Sequence, residues 1–202
     1  MQSGKNHMIH KILNKHKVVL ASESPRRKQL LEMMGLKPLV IPANIAEPIT
    51  NERPYKQAIN HARNKANKVA AAFNPDTIVV GSDTIVVLDQ HILGKPADAK
   101  QAVDYLRLLS GKDHYVYTAI CIMWNNHCIS DYERTKVSFC TLSEQEIEEY
   151  VKTGEPFDKA GAYGIQGYGA QFIKEVRGCY FNVMGFPLQL FYRSLKEMAA
   201  DE

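Results

Sequence analysis

Apolar positions along the chain come in two rhythms, unbroken β-branched runs and stripes at three- and four-residue spacing, the marks of buried strands and amphipathic helices. The run Val18-Val19-Leu20-Ala21 predicts a strand over Lys17–Ala21. Pro25 then opens a helix to Met34 that carries Leu30 and Leu31, with Gly35 placed to end it. A short strand is expected near Leu39–Ile41. Pro54 starts a long helix whose apolar face holds Tyr55, Ile59, Ala62, Ala66, Val69 and Phe73, closed by Asn74-Pro75. Thr77 to Leu88 is β-branched on both sides of a polar centre, and Asp89-Gln90 reads as a hairpin turn.

The second half repeats the alternation. A helix is expected over Ala97–Leu109, ended by Ser110-Gly111, then strands Tyr115–Trp124 and Ile129–Thr141 around an Asn125-Asn126 turn. Ser143 and Glu146 form a capping box for a helix over Ser143–Thr153. A glycine-rich passage, Gly161–Gly169, precedes strands near Gln171–Val176 and Tyr180–Val183 joined at Arg177-Gly178, and Pro187 opens the last helix. Hairpin signals interrupt the strand–helix alternation, so the expected fold class is α/β with a mixed sheet in two lobes, not a doubly wound parallel sheet.

Composition narrows the functional classes. A hydrophobic fraction of 45% with 23% charged residues fits an ordinary globular chain, and no apolar run approaches the ~20 residues of a membrane span. A formal charge of +3 without any block of like charges leaves no nucleic-acid surface, so anion recognition has to be local. Cys121, Cys128, Cys140 and Cys179 have no paired spacing and read as buried free thiols of a reducing compartment, hence a cytoplasmic protein. Residues 1–16 are polar and lysine-rich, lack the apolar stretch of a signal peptide, and read as a flexible extension, with His7, His10 and His16 solvated. One domain of two lobes is expected over 17–202.

Two local anomalies point to chemistry. Arg26 and Arg27 fall in the first turn of the helix opened by Pro25, with Ser24 as its cap, where the dipole and the unpaired N–H groups already attract anions. Cations there are either solvated surface groups or one wall of a phosphate site. Asp83 interrupts a strand-forming run beside Gly81, either as a solvated loop residue between two short strands or as an acid at a strand edge that Gly81 lets another group approach closely. Lys95 and Lys159 are ordinary surface lysines taken singly. The Gly161–Gly169 passage is neither a Walker loop nor a dinucleotide fingerprint, since the required lysine and glycine spacings are absent.

The blocks Leu20-Ala21-Ser22-Glu23-Ser24-Pro25-Arg26-Arg27, Gly81 to Val87, Gly94-Lys95-Pro96 and Asp158 to Gly167 together resemble the Maf family of nucleoside triphosphate pyrophosphatases. The resemblance runs from about Val18 to the final helix. Departures are Glu23, where the family has glycine, Asn64, where it carries an acid, and the polar extension. The resemblance implies an inosine-triphosphatase-like mixed α/β fold of two lobes with a central cleft, a homodimer, and hydrolysis between the α and β phosphates with Mg²⁺ or Mn²⁺. It implies Asp83 as proton acceptor, with Ser22, Arg27, Lys65 and Lys95 as further substrate-binding positions, and Glu47 with Asp83 as metal ligands.

Arg26, Thr84 and Gln166 match the residues that mark the branch acting on dTTP and UTP, while Trp, Gln and Glu mark the 7-methyl-GTP branch. Modified pyrimidine triphosphates fit the same set. Alternatives are 7-methyl-GTP hydrolysis, or a nucleotide-binding regulator of cell division, as the family's older naming has it. An aspartate is a weak base unless its pKa is raised or a metal acidifies the water, so base and metal-ligand roles for Asp83 both stand at this stage.

Overall fold

A computed structural model of the chain describes Leu13 and residues 15–200. Its spine is the β-branched run around Asp83, which forms one continuous strand, β3 (Ile78–Leu88), and not two strands about a loop. Along one edge β3 pairs throughout with β5 (Asp113–Trp124). Along the other edge its first half pairs in parallel with β1 (Val18–Ala21), which is flanked by β2 (Leu39–Val40). Its last residues, Val86–Leu88, pair antiparallel with β4 (His91–Leu93). Ser82 to Ile85 therefore have a neighbour on the β5 side alone, and the opening between β1 and β4 is where a ligand can approach the sheet.

The sheet continues through β6 (His127–Phe139) to β7 (Ile173–Arg177), giving the order β2-β1-β3-β5-β6-β7 with β4 on β3. Its mixed character agrees with the hairpin signals. Asp89 and Gln90, and Asn125 and Asn126, all adopt positive φ, the backbone that two-residue hairpin turns matching the strand twist require.

Among the described residues six α-helices cover the sheet: α1 (Pro25–Met33), α2 (Pro54–Ala70), α3 (Ala99–Leu109), α4 (Glu144–Lys152), the short α5 (Tyr180–Val183) and α6 (Leu188–Ala200). α1 and α6 bury Leu30, Leu31 and Phe191, joined by Phe186 just before α6, against Leu20, Val80 and Ile122 on one face. α2 lies on the other face, through Ala58, Ala62 and Ala66. The approach is close because Gly81 has no side chain: a Cβ there would stand 2.1 Å from the Ala62 carbonyl. α3 and α4 close a second core with Phe139, Tyr163 and Phe172.

Some local expectations are revised. Asp98 caps α3, its Oδ1 accepting the Gln101 N–H at 2.8 Å, whereas the capping box of α4 forms as expected. Tyr180–Val183 is a helical turn and not a strand. Gly178 (φ 130°) turns the chain, and the buried Asn182 amide donates to the Val116 carbonyl and Thr135 Oγ1, fixing the turn against β5 and β6. Of the N-terminal extension, residues 1–12 and 14, with His7 and His10, lie outside the described residues. Leu13 is buried in the core, and His16 Nδ1 stands 2.8 Å from Asp76 Oδ1, so packing begins before the expected boundary at residue 17.

Candidate active site

The opening beside Ser82–Ile85 is the floor of a cleft of about 640 Å³, within the size range of small-molecule sites. Its walls come from the β1–α1 turn, the chain around Glu47, one face of α2, the residues after β4, the Asp158–Ile165 passage and the Val183–Gly185 turn. Ser22, Arg26, Arg27, Glu47, Lys65, Asp83, Thr84 and Lys95 all line it. Gln166 does not. It is exposed, one residue beyond the cleft-lining Ile165 and just before Gly167 (φ 85°).

Asp83 is buried on the floor with both carboxylate oxygens engaged. Lys65 Nζ donates to Oδ1 at 2.7 Å, and His61 Nδ1 stands 3.1 Å from Oδ2. Both partners come from α2, four residues apart, so one helical face delivers both to one carboxylate. The Lys65 ammonium also lies 2.7 Å from Glu47 Oε1 and bridges the two acids. Burial alone would raise the Asp83 carboxyl, but the His61 hydrogen bond and the charges of Lys65 and Arg27 outweigh it and hold it below the ordinary carboxylate range. The same hydrogen bond raises His61.

The two arginines of the α1 first turn separate in role. Arg27 is buried and directs its guanidinium into the protein, Nε to the Gly185 carbonyl at 2.8 Å, Nη1 to Ser22 Oγ at 2.9 Å and Nη2 to Thr84 Oγ1 at 3.1 Å. Ser22 and Thr84, expected as substrate contacts, are thus spent partly on Arg27. Arg26 points across the cleft to Asp158 Oδ2 at 3.1 Å. Ser24 sits at the N-cap in extended backbone, but its side chain caps nothing. Lys95 is exposed at the cleft wall with no ion pair among the described residues.

Residues that sequence reasoning passed over complete the site. His61 carried a signal, a histidine on the small-residue face of a helix one turn before Lys65. Asp158 also holds Lys159 Nζ at 2.6 Å. Glu155 accepts the N–H groups of Tyr168 and Gly169 and the Tyr150 hydroxyl, anchoring the glycine-rich passage. Neither role shows in local spacing.

A family model described as Maf-like protein matches residues 17–198. Over 182 residues the chain is 44% identical to the dTTP/UTP pyrophosphatase of Aquifex aeolicus (strain VF5), covering 90% of this chain and 95% of that protein. It is 44% identical to the dTTP/UTP pyrophosphatase of Geobacillus sp. (strain WCH70), covering 90% and 97%. The Bacillus cereus (strain ATCC 10987 / NRS 248) protein of the same name is 43% identical, covering 93% of each chain. Among solved structures, the Staphylococcus aureus Ham1 protein aligns with a TM-score of 0.43 at 12% identity, over 78% of this chain and 79% of that one.

Proposed function

Because this chain belongs to the Maf family, we propose that it hydrolyses pyrimidine nucleoside triphosphates, dTTP and UTP, to the monophosphate and pyrophosphate. The observation that carries the reading is Asp83, one ionised carboxylate on the floor of a cleft whose walls present Arg26, Lys65 and Lys95 from three separate elements. A triphosphate is the ligand that uses such an arrangement. Its charge is met by cations spaced along the wall, each charge-assisted hydrogen bond contributing about 1.5–3 kcal/mol. Arg27 supports the same wall from behind by fixing Ser22 and Thr84.

Hydrolysis needs a water aligned with the α phosphorus, whose oxygen bonds phosphorus as the bond to the bridging oxygen breaks and pyrophosphate leaves, the proton that the water sheds passing by way of Asp83 to solvent. With its pKa lowered, Asp83 acts first as an acceptor that orients the water O–H, and its base strength is small. Glu47 and Asp83 face a common cation, the Lys65 ammonium, at 2.7 Å from each. An oxygen-donor pair arranged about a positive centre fits Mg²⁺ or Mn²⁺. When bound there, such an ion neutralises phosphate charge and makes water more acidic. Lys65 is long enough to give up that position and meet a phosphate instead.

Gln166, next to the cleft-lining Ile165, is proposed on the family resemblance to offer a donor and an acceptor to the edge of uracil or thymine. Residence in the cytoplasm is proposed on the four free thiols, of which Cys121 is buried as expected whereas Cys128 and Cys140 are exposed, and among the described residues no helix is long and apolar enough to cross a membrane. A homodimer is proposed on the family resemblance. Purified protein with Mg²⁺ and a panel of triphosphates is expected to release pyrophosphate from dTTP and UTP, with kcat/KM above that for 7-methyl-GTP and purine triphosphates. Release of orthophosphate alone, or 7-methyl-GTP leading the panel, rejects the proposal.

A further inference from the structure

We infer that His61 is a nitrogen ligand of the cation site that Glu47 and Asp83 form, so that this site takes Co²⁺ and Mn²⁺ ahead of Mg²⁺. The inference rests on the reading of the cleft as a metal-dependent triphosphate site and adds a ligand and a preference to it. Three donors converge here, one each from Glu47, His61 and Asp83, with their atoms all within 4.8 Å of one another. Donors sharing one ion at about 2.1–2.4 Å lie about 3 Å apart when adjacent and about 4–5 Å apart when opposite. The 3.1 Å between His61 Nδ1 and Asp83 Oδ2 matches the adjacent case.

Placement supports the assignment. His61 is 7% exposed on the face of α2 that otherwise carries Ala58, Ala62 and Ala66, yet it lines the cleft. A buried imidazole on an alanine face costs solvation unless its nitrogens are used. Asp83 engages Nδ1, and Nε2 makes no hydrogen bond to another described residue. Lys65 already holds a cation's position, 2.7 Å from each acid, and Glu47 is open to the cleft, so the two carboxylates are already arranged about a positive charge.

The chemistry sets the preference. Two carboxylates alone suit a hard ion that keeps most of its water, as Mg²⁺ does. Imidazole shifts the set toward the later first-row ions, whose affinity for nitrogen rises from Mn²⁺ to Co²⁺.

The test is direct metal binding without nucleotide. Wild-type protein loaded with Mn²⁺ alone is expected to show ¹⁴N couplings of a bound imidazole by electron spin-echo envelope modulation, and His61→Gln is expected to lose them. By calorimetry, Co²⁺ should bind wild type more tightly than Mg²⁺, and His61→Gln and His61→Asn should lose about tenfold or more in Co²⁺ affinity while Mg²⁺ changes far less. Mn²⁺ bound without ¹⁴N coupling, no Mn²⁺ binding, or an unchanged Co²⁺/Mg²⁺ ratio in both variants overturns the inference. The wild-type spectrum needs no variant to fold. A protein that shows the coupling but leaves dTTP uncleaved fails the pyrophosphatase reading alone, and one that cleaves dTTP without the coupling fails this inference alone.

Discussion

Asp158 holds Arg26 from the opposite wall of the cleft, its Oδ2 3.1 Å from Arg26 Nη1 while Oδ1 accepts Lys159 Nζ at 2.6 Å. A carboxylate thus occupies the two cations that a phosphate would want, and an incoming triphosphate has to displace it. Both side chains of the Arg26–Asp158 pair are partly exposed, so the pair contributes about 0.2–1 kcal/mol. Asp158→Asn should lower KM for dTTP about two- to fivefold with kcat unchanged. Steady-state kinetics at low and high salt check it, the difference shrinking as salt screens the pair. A rise in KM would mean that Asp158 serves the substrate by orienting Lys159.

Asp83→Asn keeps the shape of the floor and removes its charge. The water loses its anionic acceptor, and kcat should fall about 10²–10⁴-fold. Nucleotide binding should survive, because Arg26 and Lys95 make no contact with Asp83. The melting temperature should still rise with dTTP, by the equivalent of about 2.7 kcal/mol at a hundredfold excess over Kd. A variant that loses the thermal shift along with turnover would place Asp83 in binding. A cell-division phenotype that persists in Asp83→Asn would favour a regulatory role.

Arg26 and Arg27 should respond differently although they are neighbours. Arg27→Ala strips hydrogen bonds from the Gly185 carbonyl, Ser22 and Thr84 in a buried setting, and should cost about 2–4 kcal/mol of stability. Arg26→Ala should leave stability within about 0.5 kcal/mol and raise KM. Thermal denaturation alongside kinetics separates the two. The sequence makes them look alike because both stand in the first turn of α1, yet their directions are set by partners 132 and 158 residues away.

That contrast marks what could be read from the chain. Periodicity and turn chemistry placed the strands, the hairpins and the helices of the first half, because these depend on neighbours within a few residues. Asp83 was legible as an acid in a strand-forming run. Its continuity with the flanking strand was not, since the pairing of β3 with β5 overrides the low strand propensity of aspartate. The helical turn at Tyr180–Val183 escaped for a similar reason: the Asn182 amide that fixes it bonds to β5 and β6, more than forty residues distant. Gln166 was matched by its motif, but a motif carries no information on which side of a loop faces the cleft.

His114 gives a stability prediction independent of the cleft. It is buried beside Phe139, its Nε2 2.7 Å from the Tyr163 hydroxyl and its Nδ1 without a partner. Burial pushes its pKa down from 6.5 to about 4. Between these values the unfolded chain binds a proton that the folded chain does not, so stability is complete above pH 6.5 and declines as pH falls toward 4. The loss attributable to His114 is roughly 3 kcal/mol across that window. His61, raised by Asp83, acts with the opposite sign, losing its contribution as pH rises through its folded pKa above 6.5. The lowered Asp83 carboxyl acts below its ordinary 3.8. The interval from 6.5 to 4 therefore isolates His114 among these three. Urea denaturation at pH 6.5 and pH 4.5 should show a smaller drop in His114→Gln than in wild type, even though the variant is less stable at neutral pH. Equal drops would mean that His114 charges in the folded protein as readily as in the unfolded one.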